Sequence, residues 1–271
     1  MLPKPVYFNY QNQPKEIVKY CNLCGSSNST PVAFKDRYGF PAITVACLSC
    51  GLVYLNPRMT AEAYRKFYEG TYRALVSLYH GMQINSETIQ TKQYKYAADL
   101  GDLLRLWMGA LPTNKLLDIG GSTGVVARHL ADMFEFRATV VDPAPMELAA
   151  AERRNLITRC GLIEQTDFKG EFFSLITICQ AVDHLLDIKA TLMKARTLLL
   201  GGGLLFVDIV DFNTVSPNLT NVEEAIKIDH PYYLTAPTME QYLESTGFRI
   251  IKTVMAADKI HRNFVCRPKY A

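Results

Sequence analysis

The sequence has no apolar run long enough to cross a membrane. Its longest candidate, "LLLGGGLLFVDIV", is broken by glycines and interrupted at Asp208. That falls well short of the about 20 residues a spanning helix needs. Blocks of like charge, low-complexity tracts and internal repeats are absent too, which excludes charged tails and solenoids. Net charge is scarce, only +3 at pH 7. A chain built to neutralise nucleic-acid phosphates carries a basic stripe and a higher pI, so a nucleic-acid partner is disfavoured. The opening stretch, "MLPKPVYFNYQNQPKEIVKY", is polar and interrupted by prolines, and reads as no signal peptide. What remains is a chain of 271 residues, 49% hydrophobic and 20% charged. That balance suits one large globular domain, or one domain with a small appendage.

Cysteine is present and unevenly placed. Of seven, four form two pairs, Cys21 with Cys24 in "CNLCG" and Cys47 with Cys50 in "CLSCG". Two thiolates three positions apart on a tight turn can reach one metal ion, and the glycine after each pair lets the backbone double back. Disulfides in a secreted domain are the alternative. The three unpaired cysteines and the missing signal peptide argue against it. The spacing therefore predicts a structural four-cysteine zinc ribbon, because four thiolates leave no open position for chemistry. Zinc thiolates imply a reducing compartment, and the expected localisation is the cytosol.

Beyond the ribbon, Thr60 is positioned to cap a helix starting at Ala61, with Tyr64, Phe67 and Tyr68 on its apolar face. A second helical stretch runs from about Glu87 to Met108. These helices either pack on the core or lid a pocket. The expected organisation is a ribbon module over 1–58, a helical connector over 59–112 and a main domain over 113–271. From Lys115 strands and helices alternate. "KLLDI", "RATVVD", "LITRC", "SLITICQ" and "GLLFVDIVD" read as buried strands, and "FRIIKTVMA" and "KIHRNFVCR" as a terminal hairpin. Alternating βα units predict an α/β fold, a parallel sheet covered on both faces. Ligands bind such sheets beyond the carboxyl ends of the strands, where strand order reverses.

The stretch "LLDIGGSTGVVARHL" supplies that point. Gly120, Gly121 and Gly124 remove side chains at a loop, and the helix that follows offers free N–H groups. Asp142, about 20 residues on at the end of the next strand, can accept bonds from both ribose hydroxyls. A dinucleotide and S-adenosylmethionine both fit a glycine loop followed by an acid. The loop lacks the G-x-G-x-x-G spacing, and Asp118 would repel a pyrophosphate. It suits a ligand carrying an amino group, such as the methionine end of S-adenosylmethionine.

From these residues to the last strands the chain resembles the class I S-adenosylmethionine-dependent methyltransferases. The ribbon with "CGLVYLNPRMTAEAYRKFYEGTY" resembles a bacterial subgroup associated with polysaccharide, lipopolysaccharide-sugar and natural-product modification. The resemblance implies a Rossmann-like seven-stranded sheet, mostly parallel with the last strand antiparallel. It places Asp118, Gly120, Gly121, Ser122 and Gly124 at the methionine end, Asp142 and Pro143 at the ribose, Leu162 and Ile163 beside the adenine, and Gln180 near the sulfonium. Ser122 stands where glycine is commoner, and Leu162 where an acid is common.

Methyl transfer to oxygen needs the acceptor aligned and its proton removed. "QAVDHLLD" puts Asp183 and His184 at the mouth of the site, and "KIDHPYYLT" offers His230 as a second base. The expected substrate is a small-molecule or glycan acceptor, methylated on oxygen. Two other classes stay open. A ribosomal RNA methyltransferase with a zinc module is disfavoured by the weak charge and by the lack of an Asn-Pro-Pro-Tyr-type motif. A non-catalytic binding module is disfavoured by the intact Asp118, Gly120 and Asp142.

Overall fold

The conformation of residues 7–84, 86–109, 111–215 and 219–269 is described by a computed structural model. The first six residues of the polar opening stretch lie outside the described residues, as does Ala110 in the loop before the sheet. The N-terminal part consists of short strands: β1 (Lys15–Glu16), β2 (Ser29–Ala33), β3 (Thr44–Cys47), β4 (Val53–Leu55) and β5 (Arg58–Met59). β2, β3 and β4 form an antiparallel meander, and β1 pairs with β5. Gly25 and Gly51 both adopt φ 76°, a left-handed conformation that closes each Cys-x-x-Cys turn on an N–H bond back to Cys21 and Cys47.

Three helices follow, α1 (Ala61–Gly70), α2 (Tyr72–His80) and α3 (Ser86–Arg105). Thr60 caps α1 by accepting from the Ala63 N–H, as its position predicts. Ala63, Tyr64 and Phe67 are the buried face of that helix. α3 ends at Arg105, a turn earlier than the pattern to Met108 suggests.

The main sheet then builds in βα steps. β6 (Lys115–Ile119), α4 (Val125–Phe134), β7 (Arg137–Asp142), α5 (Pro145–Glu152) and β8 (Ile157–Cys160) form its first half. β9 (Phe173–Ile178), α6 (Ile188–Leu198), β10 (Leu199–Val210) and the short α7 (Phe212–Val215) continue it. β11 (Tyr232–Tyr233) and α8 (Ala236–Ser245) precede the hairpin β12 (Phe248–Met255) and β13 (His261–Pro268). The seven strands lie in the order β12-β13-β10-β9-β6-β7-β8, with β13 antiparallel to both neighbours and the rest parallel. Successive residues of a strand face opposite sides. Leu116, Val140 and Phe206 accordingly face a core shared with α3, α4 and α5. Leu117, Val141 and Val207 face one shared with α6 and α8. Strand order reverses around β6, so the mouth of the sheet opens beside Asp118. No helix among the described residues is long and apolar enough to cross a membrane.

The ribbon differs from expectation in one respect. A ribbon module would be expected to keep its own core. Instead Cys21, Leu23, Cys47, Leu52 and Tyr54 pack in the same buried cluster as the α6/α8 face of the large sheet. β11 explains why. It leaves the segment between β10 and α8 and pairs antiparallel with β4, making the ribbon sheet four-stranded.

Candidate active site

Asp118, one residue before the end of β6, is fully buried. Its Oδ1 accepts from the Thr177 hydroxyl at 2.7 Å, while Oδ2 has no partner among the described residues. A Cβ on Gly121 would lie 2.4 Å from that oxygen. Glycine is required there by the carboxylate itself. At Gly120 and Gly124 the requirement comes from left-handed backbone and from close neighbours, Ala181 and Leu156. Ser122 is left-handed without being glycine, with φ 48°. Its N–H donates to Asp142 Oδ2 at 2.9 Å, and its hydroxyl donates to Glu147 Oε2 at 3.0 Å. Arg73, from α2, bonds the other oxygen of Glu147 at 3.0 Å. The connector thus reaches the glycine loop through a residue that carried no sequence signal.

Asp142 sits at the end of β7, with Oδ1 accepting from the Ala144 N–H. Pro143 beside it is exposed. Leu162 is half-buried, whereas Ile163 is turned into the α6/α8 core. Gln180 is exposed at the mouth, in a left-handed conformation of φ 50°.

Asp183, His184 and His230 come together, although α6, β10 and α7 separate His230 from the other two along the chain. Asp183 accepts from His230 Nδ1 at 2.7 Å. His230 Nε2 stands 3.4 Å from both Lys227 Nζ and Asp229 Oδ2, beyond the range of a strong bond. The His184 ring lies edge-on to that of His230, with centroids 4.4 Å apart. Its Nδ1 is 2.7 Å from the Tyr68 hydroxyl and 3.1 Å from the Asp229 carbonyl. The carbonyl can only accept, so this network places the proton on Nδ1 and leaves Nε2 with its lone pair. Tyr68, read as a core-facing aromatic, is therefore also a site residue.

The histidines line a cavity of about 220 Å³ with Tyr72, Gln180, Asp183, Asp208, Val210 and His261. Asp208, Tyr72 and His261 were not legible as site residues. Asp208 had a signal, a carboxylate inside an apolar strand, but it read only as an interruption. Its oxygens accept from the Gln180 N–H at 2.6 Å and the Tyr96 hydroxyl at 2.9 Å.

Burial dominates the electrostatics. It pushes the Asp118 carboxyl up to about 7, against the Thr177 bond, and that of Asp208 up to about 6, against its amide and hydroxyl bonds. Burial also raises Asp142 and lowers His230. Asp183 is the exception: burial opposes its ionisation, but the two histidines beside it hold it well below the usual carboxylate range.

At the ribbon, the four thiols of Cys21, Cys24, Cys47 and Cys50 lie within 4.8 Å of one another. Cys21 and Cys50 sulfurs are 3.5 Å apart, and those of Cys24 and Cys47 3.6 Å. These separations are too long for disulfides at about 2.05 Å. They approach the edge of about 3.8 Å that a tetrahedron of 2.3 Å zinc–sulfur bonds requires.

Comparison with known proteins agrees with this architecture. No curated protein matches the chain in sequence. Among solved structures, magnesium protoporphyrin IX methyltransferase from Synechocystis PCC 6803, with bound S-adenosylhomocysteine, superposes with a TM-score of 0.57 at 13% identity, covering 78% of this chain and 100% of that one. An S-adenosylmethionine-dependent methyltransferase from Clostridium acetobutylicum gives 0.54 at 15% identity, covering 77% and 99%. The amino pentose methyltransferase CalS10 from Micromonospora echinaspora gives 0.51 at 16%, covering 65% and 92%. At such identities the likeness is one of fold. The sequence model of the methyltransferase domain matches residues 89–253, more than half of the chain. With the seven-stranded sheet and the buried carboxylate at its switch point, that match makes the chain a member of the methyltransferase-domain family, an S-adenosylmethionine-dependent methyltransferase.

Proposed function

We propose that the protein methylates a hydroxyl of a small acceptor, a sugar or sugar nucleotide, with His230 as the general base. The observation that carries this reading is the His230 Nδ1–Asp183 bond on the wall of the cavity. A carboxylate on Nδ1 sets the tautomer and stabilises the imidazolium that forms, leaving Nε2 to take a proton. His184, held by Tyr68 and Asp229, offers a second lone pair to the same space. A cavity of this size admits one ring-sized group, and the weak net charge disfavours a nucleic-acid footprint. The sugar class itself rests on the subgroup resemblance.

S-adenosylmethionine supplies the methyl on a sulfonium that carries its own leaving group. The unpartnered Asp118 Oδ2 fits the amino group of its methionine end, and the first-turn N–H groups of α4 fit the carboxylate. Gly120, Gly121, Ser122 and Gly124 shape that end. Asp142 takes the ribose with Pro143 beside it, Leu162 forms the adenine wall with Ile163 behind it in the core, and Gln180 borders the sulfonium. Zinc fits the four thiols and holds the ribbon of residues 1–58. The connector, 59–112, contributes Tyr68 and Tyr72 to the acceptor side of the methyltransferase domain, 113–271.

The Tyr72 hydroxyl favours a second reading. Tyr72 lines the cavity, and burial raises the pKa of its hydroxyl so that it stays protonated. Such a donor beside a base suits an acceptor carbon next to a carbonyl, whose enolate oxygen it would stabilise. Assay of His230→Ala on candidate acceptors tests both. Turnover should fall by about 10²–10⁴-fold with S-adenosylmethionine affinity unchanged. An equal loss in His184→Ala alone would transfer the role to His184, and near-normal rates in both variants would remove histidine base catalysis. Carbon-13 spectra of the methylated product separate oxygen from carbon attack.

A further inference from the structure

Asp208 is the one carboxylate of the cavity wall that neither the base nor the cofactor contacts proposed above employ. It is fully buried on β10. Among the described residues its two oxygens are bonded by neutral donors alone, the Gln180 amide and the Tyr96 hydroxyl. Asp118, across the mouth of the sheet, is in the same condition, bonded only by the Thr177 hydroxyl. Among the described residues, neither forms an ion pair. By contrast Asp183 has His230, and Asp211, just beyond β10, has Arg262. Burying an ionised carboxylate without a counter-charge is costly, and a protein keeps two such groups only where something compensates them.

The cofactor of this family carries two cationic centres, an ammonium and a sulfonium. Among the described residues the site carries three buried carboxylates without an ion-pair partner, Asp118, Asp142 and Asp208, and Asp142 is taken up by two backbone N–H groups and by the ribose in the cofactor reading. The cofactor reading above, on which this inference rests, pairs the ammonium with Asp118. Asp208 then remains for the sulfonium, and its Gln180 contact puts it at the residue expected to border that centre. We propose that Asp208 reads the sulfonium charge, and that through it the protein binds S-adenosylmethionine in preference to S-adenosylhomocysteine.

The chemistry gives this a consequence. Methyl transfer moves the methyl group to the acceptor, leaves the bonding pair on sulfur, and passes the acceptor proton to the base. The cofactor is left as a neutral thioether. Asp208 then loses its counter-charge, and product release is favoured over product retention. With its carboxyl pushed up to about 6 by burial, against the Gln180 and Tyr96 bonds, Asp208 is ionised at pH 8. His261 on β13 and Asp183 after β9 are the neighbouring titratable groups that also bear on it.

Calorimetric Kd values for both ligands at pH 8 test the proposal. The unmodified protein should favour S-adenosylmethionine. Asp208→Asn should weaken that ligand by about 10- to 100-fold, the effect of removing one close opposite charge, and should hardly move the homocysteine product. Tyr96→Phe removes a neutral bond to Asp208 and keeps its charge, so the preference should persist. If Asp208→Asn does not fold, Asp208→Ser takes its place. Equal weakening of both ligands, or an unchanged preference in a folded variant, overturns the inference. Failure of the unmodified protein to bind either ligand overturns the cofactor reading itself.

Discussion

Asp118 pulls stability and binding in opposite directions. Its carboxyl is raised by burial from 3.8 to about 7 in the folded chain. Between about pH 4 and pH 7 the folded state therefore holds a proton that the unfolded state has lost. Stability falls as pH rises through that window, and the full penalty is present above it. Asp118→Asn cannot ionise. Without ligand it should be more stable than the unmodified protein at pH 8, by about 2–4 kcal/mol, with a smaller gap at pH 5. Urea unfolding at the two pH values measures this. The same variant should lose S-adenosylmethionine binding. A lower midpoint at pH 8 would mean that another group already compensates the charge. Asp118 was legible because it stands beside a glycine loop. Asp208 was not, since nothing adjacent in the chain tells a buried carboxylate from a strand interruption.

At the scale of elements, the β6–α4 loop is tethered by the end of β7. Asp142 accepts from the N–H groups of Ser122 and Ala144, and Ser122 continues through Glu147 to Arg73 on α2. Asp142→Ala should weaken S-adenosylmethionine by about 1.5–3 kcal/mol in calorimetry, the range of bonds to a charged group. Ser122→Ala loses only the hydroxyl bond to Glu147 and should cost less. Equal losses would assign the effect to loop order rather than to a contact from the carboxylate. The connector helices were legible as elements, through the Thr60 cap and the Tyr64–Phe67 face. Their reach into the site was not, because Arg73, Tyr68 and Tyr72 meet partners on distant parts of the chain.

Across the whole molecule, the ribbon and the sheet are one packed body. Beyond the shared core and the β4–β11 pair, Asn22 in the first cysteine turn bonds Asp187 before α6 and Tyr242 on α8. The purified protein should carry about one zinc per chain. Cys47→Ser should lower the thermal midpoint of the entire chain in a single transition, because the cysteine turns and the α6/α8 core cannot separate without exposing both. Calorimetry checks this. A sheet domain that melts at its unmodified temperature would show the ribbon to be independent after all.

The alternation of strands and helices in the main domain, the switch-point loop with Asp118 and Asp142, and the paired cysteines could all be read along the chain. Each of these is written in local spacing: apolar periodicity, a glycine cluster at a strand end, two thiols on one turn. That His230 lies on Asp183, that Tyr68 holds His184, that β11 completes the ribbon sheet and that Asp208 lines the cavity emerged once the chain was folded. Those relations depend on where the chain crosses itself. Crossing points are set by the packing of whole faces, which no short window of residues contains.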